Sequence, residues 1–413
     1  MTPAKAPLSV LLPPAGVDRS AWLLLVARSL RGICDGFVAV LLPAYLLALG
    51  FGKLTVGLIG TATLLGSAVA TIAVGLMGSR YPQRALLVFA AALMAATGLA
   101  FGFLSSLWPL LMVAFVGTLN PGSGDVSLFL PLEHARLAAS AKGDARTALF
   151  ARYSLLGGLS AALGALLAGL PDWIAVHANV PALLPMRAMF IVYAITGFVI
   201  FLLYLRLPKR EAHTAAVRAS LGPSRGIVTR LALLFSVDAF AGGLLVNSLL
   251  TLWLIQRFGF SLVAAGQFFF WSGLLSGGSQ LAAAPIARRI GLLNTMVFTH
   301  IPSSMCLIAA AFTPTLPLTL MLLLARSALS QLDVPTRSAY VMAVVTTPER
   351  PAAASFTAVP RSLAAAVAPT IAGALLGAGW LSAPLIACGT LKIAYDLAVL
   401  AAFRHIRPDG GAS

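Results

Sequence analysis

FARYSLLGGLSAALGALLAG (150–169) and VPRSLAAAVAPTIAGALLG (359–377) are two copies of one apolar segment. In each, an arginine (Arg152, Arg361) opens a run of alanine, leucine and glycine. On the preceding apolar segment stands an Asp-Val pair, Asp125-Val126 in one copy and Asp333-Val334 in the other, 208 residues apart. The acid precedes its arginine by 27 residues in the first copy and 28 in the second. The chain therefore reads as one unit duplicated, with charges kept at matching places inside apolar helices. A charge at membrane depth is costly and by default marks a functional position. Repeats with charges at their interface are the construction used by secondary transporters.

Composition agrees with a membrane chain. Of 413 residues, 59% are hydrophobic and 10% charged, with a mean hydropathy of +0.95. A soluble domain has about 25% charged residues, so this chain cannot clothe itself for water. Apolar segments lie near 21–49, 54–78, 85–105, 107–132, 147–170, 183–205, 227–255, 262–286, 291–313, 316–344, 353–378 and 382–403. Each is close to the roughly 20 residues needed to cross hydrocarbon. Met1 to Arg19 shows no apolar core of signal type, and the first apolar segment is expected to be the first span.

The net charge of +16 invites a nucleic-acid reading, but its distribution argues for topology instead. With both termini placed in the cytoplasm, 19 of the 28 Lys and Arg fall in cytoplasmic segments and 3 (Lys53, Arg187, Arg257) on the opposite face. That is a strong positive-inside bias. The other 6 (Arg28, Arg31, Arg152, Arg326, Arg361, Lys392) lie within spans. Cys34, Cys306 and Cys388 all sit in apolar segments and read as small buried residues. The five histidines have no metal-ligand spacing, so no metal or cofactor is expected.

The longest hydrophilic stretch, Pro208 to Arg230, divides the chain. The expected domains are a six-helix bundle at 1–207, a basic cytoplasmic linker at 208–230 and a second bundle at 231–413. Between spans two and three stands GLMGSRYPQR (75–84), and the second half carries APIARRIG (284–291) at the same place. Six plus six spans, a basic central loop and these two loops resemble the major facilitator superfamily. The resemblance implies an all-α integral membrane protein of twelve transmembrane helices in two six-helix pseudo-symmetric halves around a central cavity. It also implies alternating access, with Arg80 and Arg289 belonging to a cytoplasmic gate. The motif's aspartate is replaced by Ser79 in the first copy and Arg288 in the second. Gly157, Gly158, Gly164 and Gly169 resemble the antiporter signature of span five but lack its glycine-proline pair; small residues for close helix packing explain them equally well.

Several charges inside the spans ask for a role. Arg28, Arg31 and Asp35 share one stripe of span one, and Arg31 and Asp35 are spaced to pair along the helix. They read as a substrate-binding or proton-coupling set, or as an internal ion pair. Asp238 on span seven has no basic residue within a turn or two on its own span. An isolated carboxylate in hydrocarbon is expected to take up a proton; the alternative is a cross-domain pair with Arg28 or Arg31. Asn247 and Gln256, with Gln267, Trp271 and Gln280 on span eight, are candidates for hydrogen bonds and an aromatic wall. Arg326 on span ten would suit an anion. Asp125, Arg152, Asp333 and Arg361 lie equidistant from their hairpin turns and so share one layer toward the cytoplasm. They could pair within hairpins or across the halves, where they would act as a gate. Asn120-Pro121-Gly122-Ser123-Gly124 interrupts span four just before Asp125, a break tolerated only where protein or water satisfies the backbone. Lys392 and Asp396 read as a structural i, i+4 pair.

The expected function is that of a secondary active transporter, not an enzyme. The one Gly-Lys pair, Gly52-Lys53, is followed by Leu54 and makes no P-loop. Family resemblance points to proton-coupled efflux of a small organic compound. Alternatives are transport of an organic or phosphorylated anion through Arg28, Arg31 and Arg326, and a non-transporting sensor or scaffold. The expected partners are a small molecule, protons and the lipid bilayer, with no nucleic acid; a monomer in a bacterial inner membrane is expected.

Overall fold

Apolar stretches in hydrocarbon must satisfy their own backbone, which leaves the helix as the solution for segments of this length. The computed structural model describes residues 18–77, 81–122, 128–141, 143–209, 222–346 and 349–405. Sixteen helices run through them. The first eight are α1 (Arg19–Ala48), α2 (Lys53–Met77), α3 (Gln83–Phe103), α4 (Leu107–Val116), α5 (Phe129–Ser140), α6 (Gly143–Leu167), α7 (Leu170–Ala178) and α8 (Leu183–Leu205). The second eight are α9 (Arg225–Gly243), α10 (Asn247–Phe258), α11 (Leu262–Ile290), α12 (Leu292–Phe312), α13 (Leu316–Leu329), α14 (Asp333–Ala343), α15 (Arg350–Gly377) and α16 (Ala383–Phe403). Among the described residues, nine helical stretches are long and apolar enough to cross a membrane on their own.

The twelve traverses expected from the sequence account for these elements. Spans four, seven and ten are each broken into two helices (α4 and α5, α9 and α10, α13 and α14), and α7 is a short extension of span five that the sequence did not announce. Helix α9 starts at Arg225, inside the stretch assigned to the linker.

Each half is tied by pairs of helices: α1 with α6 and α3 with α8 in the first, α9 with α15 and α12 with α16 in the second. Small residues permit this closeness. Gly164 lies on the backbone of Ile33, and Gly36 on that of Ala161. The halves meet along two seams, α2 against α15 and α6 against α11. In the first, Gly57 faces Gly373 and the Pro369 carbonyl, with no room for a side chain on Gly57. Thr61 Oγ1 accepts from the Thr370 backbone N–H at 3.1 Å and meets Thr370 Oγ1 at 2.8 Å. In the second, Ala162 and Ala165 of α6 lie on Gly273 and Gly266 of α11.

All of these seam contacts lie toward the end of the bundle remote from the linker, called the far end here. Asp172 of α7 adds another there, accepting from the Leu262 N–H at 3.2 Å. At the opposite, linker end, Val359, Pro360 and Arg361 of α15 and Ala151 and Ser154 of α6 are exposed. The molecule is thus closed at the far end and open between its halves at the linker end.

Candidate functional site

Two buried polar networks occupy the halves, one each. In the first half Arg31 of α1 reaches Glu133 of α5 with two nitrogens, at 2.6 and 3.2 Å. The hydroxyls of Tyr153 (α6) and Tyr204 (α8) both donate to the same carboxylate. The Phe129 ring lies under the guanidinium at 4.2 Å. Arg31 and Glu133 are 2% and 0% exposed. A buried ion pair holds only when its remaining donors and acceptors are met, and here two tyrosines meet them. Four helices are fastened by one charge pair.

This corrects the reading of span one. The ion pair of Arg31 is with Glu133, four helices later in the chain, and not with Asp35. Arg31 is enclosed by these partners. Arg28 is buried as well, over the Tyr153 ring at 5.3 Å and against Gly157. Asp35 is half-buried on α1.

The second network is larger. Asp238 of α9 accepts from Lys392 of α16 at 2.6 Å through Oδ1 and from Arg337 of α14 at 2.8 Å through Oδ2. Arg337 also reaches Asp333, one helical turn earlier, at 3.4 Å. His300 of α12 stands beside them. Its Nδ1 is 3.0 Å from both oxygens of Asp396, and its Nε2 is 3.3 Å from Lys392 Nζ. Six ionisable side chains from four helices form one buried cluster.

The isolated Asp238 expected from its own span is therefore not isolated, and its partners come from its own half and not from Arg28 or Arg31. Lys392 and Asp396 do not form the expected pair with one another; each turns to His300, and Lys392 to Asp238. Arg337, counted among the cytoplasmic positive charges, is buried at the centre of this cluster.

The remaining candidates are dispersed. Asn247 opens α10 at the break of span seven, next to Ser248, whose N–H donates to Pro121 O at 3.1 Å. That bond joins the break of span seven to the break of span four, across the two halves. Gly122 N–H in turn donates to Asn120 Oδ1 at 3.1 Å, so these two freed backbone donors find partners. Gln267 and Trp271 fall on the exposed stripe of α11 that also carries Val263, Leu275 and Leu281. They line a shallow cleft of about 440 Å³ with Leu166 of α6 and Leu320 and Leu324 of α13. The structure does not bring them to Asp238. Arg326 is half-buried on α13 and Arg361 exposed on α15. Among the described residues neither has a carboxylate within ion-pair distance.

Comparison with known proteins decides what this architecture is. The sequence profile described as the Major Facilitator Superfamily matches residues 24–331. The chain belongs to the Major Facilitator Superfamily. A curated relative, the uncharacterized membrane protein YJR124C of Saccharomyces cerevisiae, is 23% identical over 422 residues and covers 94% of each chain. Among solved structures, the nucleoside transporter NupG superposes with a TM-score of 0.72 at 13% identity, covering 94% of this chain and all of that one. A bacterial homolog of the human lysosomal transporter Spinster gives 0.68 at 14% identity, covering 93% and 94%. The human organic anion transporter MFSD10 gives 0.63 at 18%, covering 92% and 99%. At these identities the structures share the fold with this chain.

As a Major Facilitator Superfamily protein the chain is a membrane transporter, a carrier and not an enzyme. Of its expected gate, Asp125 and Arg80 lie outside the described residues. Arg152 is half-buried on α6, and Arg289 is exposed at the linker end of α11. Asp333 is bonded to Arg337, and neither Arg152 nor Arg361 is within ion-pair distance of it. Sequence reasoning missed Glu133, His300 and Arg337. Only Arg337 had a local signal, its spacing of four from Asp333; the partners of the other two come from remote helices.

Proposed function

We propose that this transporter works by alternating access and couples proton movement to the efflux of a small organic compound. The observation that supports it is the charge of the second network. Three carboxylates (Asp238, Asp333, Asp396) face two permanent cations (Arg337, Lys392) in a buried space. One further proton balances the cluster, and a low-dielectric interior makes that balance matter. The first network, one cation against one anion, has no such vacancy for charge. The linker end faces the cytoplasm in this reading, because the positive residues of the loops gather there. The cavity then opens toward the compartment from which an exporter loads. The gate role of Asp125, Arg152, Asp333 and Arg361 belongs to the opposite conformation, in which the linker ends of the halves approach.

A second reading, transport of an organic anion, is favoured by Arg326 and Arg361, two guanidinium groups with no carboxylate within ion-pair distance among the described residues. Protein reconstituted in liposomes with an imposed pH gradient and an internal pH dye tests the coupling, using compounds that raise its melting temperature. Compound-dependent proton flux, lost in Asp238→Asn, is expected. Transport that continues undiminished when a protonophore collapses the gradient overturns it. Uptake confined to anions, and lost on neutralising Arg326 and Arg361, selects the second reading.

A further inference from the structure

We propose that His300 is the proton-carrying group of the second network, and that its protonation displaces Lys392 from Asp238. The inference rests on the proton-coupled reading and names the side chains that would perform it.

The geometry fixes the resting tautomer. Nδ1 of His300 lies 3.0 Å from both oxygens of Asp396, so it carries the hydrogen and donates it there. Nε2 faces the Lys392 ammonium at 3.3 Å. An ammonium has only donors, so Nε2 must present its lone pair. A carboxylate that orients an imidazole in this way holds its other nitrogen ready for a proton.

That second nitrogen is also 4.0 Å from Asp238 Oδ1, the same oxygen that accepts from Lys392 at 2.6 Å. The other oxygen, Oδ2, is occupied by Arg337. Lys392 and His300 Nε2 therefore aim at one acceptor. When a proton from water binds Nε2, the imidazolium has two N–H donors and no acceptor for Lys392. Two like charges at 3.3 Å in a buried site repel strongly. The imidazolium N–H takes Asp238 Oδ1, and Lys392 withdraws. Lys392 is the least enclosed of the three: its side chain is 13% exposed, against 4% for His300 and 8% for Asp238. Nothing but the proton is exchanged with the solvent, and no covalent bond between heavy atoms changes.

Other ionisable groups surround His300 and its partners, among them Cys388 of α16, which interacts with Lys392 and Asp238, and Arg361 of α15, which interacts with Arg337, Asp238 and Asp333. From α16 come Asp396, Lys392 and Tyr395, whose ring centroid is 6.3 Å from that of the imidazole. From α9 comes Asp238, and behind it Arg337 and Asp333 of α14. On α13, the carbonyl of Arg326 accepts from Ser303, one turn along α12 from His300. Helix α11 carries Arg288 and Arg289, both exposed at its linker end. The Tyr395 hydroxyl is buried without a hydrogen-bond partner among the described residues. A buried polar atom in that condition is uncommon, and it offers the rearranged cluster a further donor or acceptor.

The test uses the full chain labelled with ¹⁵N-histidine in lipid nanodiscs and followed by NMR between acid and alkaline pH. His300 is assigned by loss of its signals in His300→Gln; if that variant does not fold, substitution of the other four histidines isolates it. At alkaline pH the neutral imidazole is expected with its hydrogen on Nδ1, converting to the doubly protonated form on acidification. Lys392→Met is expected to move the midpoint of that conversion. A hydrogen on Nε2 in the neutral form, no titration, or a midpoint unmoved by Lys392→Met each overturns the proposal. The liposome assay reads the broader proposal separately. Proton flux with a silent His300 defeats the switch alone, whereas a titrating His300 without flux defeats the transport coupling and leaves the switch.

Discussion

Glu133 shows how far a single residue can carry a fold and remain inconspicuous in the chain. It lies in LEHAR, near the end of span four, where a glutamate looks like the start of a loop. Its role appears only when α1, α6 and α8 arrive around it with Arg31, Tyr153 and Tyr204. Glu133→Gln keeps the shape and removes the charge, leaving Arg31 buried without a counter-ion. A cost of about 3–5 kcal/mol is expected, read as a large fall in melting temperature in detergent. Arg31→Met with Glu133→Gln should recover part of that loss, since the uncompensated cation is then gone. Asp238 illustrates the same limit of local reading. Its own span contains no cation nearby, yet Lys392 and Arg337 reach it from residues 154 and 99 positions away. Arg337 was within reach of sequence reasoning through its spacing from Asp333, but its place near the end of an apolar segment argued for a loop.

Among the elements, the interruption of span four was legible because proline and glycine punctuate it. The break of span seven at Leu244 to Val246 was less legible: those residues are as apolar as a helix interior, and the local cue is the Gly242-Gly243 pair before them. Just past this break, Ser248 donates to Pro121 of the other half, a contact that no local pattern records. The turn between α14 and α15 shows a different device. Glu349 accepts from the Ser224 and Thr346 hydroxyls at 2.5 and 2.6 Å and from the backbone N–H groups of Gly222 and Ser224. It pins the end of the linker to the second half. These hydrogen bonds, from Ser224 first and Thr346 next, pull its carboxyl down to about 2 from an ordinary value of 4.5. A depressed carboxyl stabilises the fold above its unfolded value, and that contribution fades as pH falls from 4.5 toward 2. Glu349→Gln is expected to flatten the acid limb of stability over that window, measured as melting temperature against pH, and to leave neutral-pH transport unchanged.

For the whole molecule, the duplication was the most readable feature, and the fold followed from it. The repeat did not reveal that the halves use opposite polarity. The first places a cation on span one against an acid on span four, and the second an acid on span seven against a cation on span ten. Nor did it reveal which end is closed, because closure depends on contacts between residues some 300 positions apart. Thr61→Cys with Thr370→Cys, in a background with Cys306 replaced, is expected to form a disulfide on oxidation. That bond holds the far end shut, so transport should stop and return on reduction. Undiminished transport in the oxidised protein, with the crosslink confirmed by mass spectrometry, would be contrary to this expectation.

The seam between α2 and α15 has one more implication. Where Gly57 meets Gly373 and the Pro369 carbonyl, backbone rests on backbone. Meshed side chains must unthread before two surfaces can shift; bare main chain need not. The two bundles can therefore lift apart at this spot when the far end opens, with nothing interlocked to hold them.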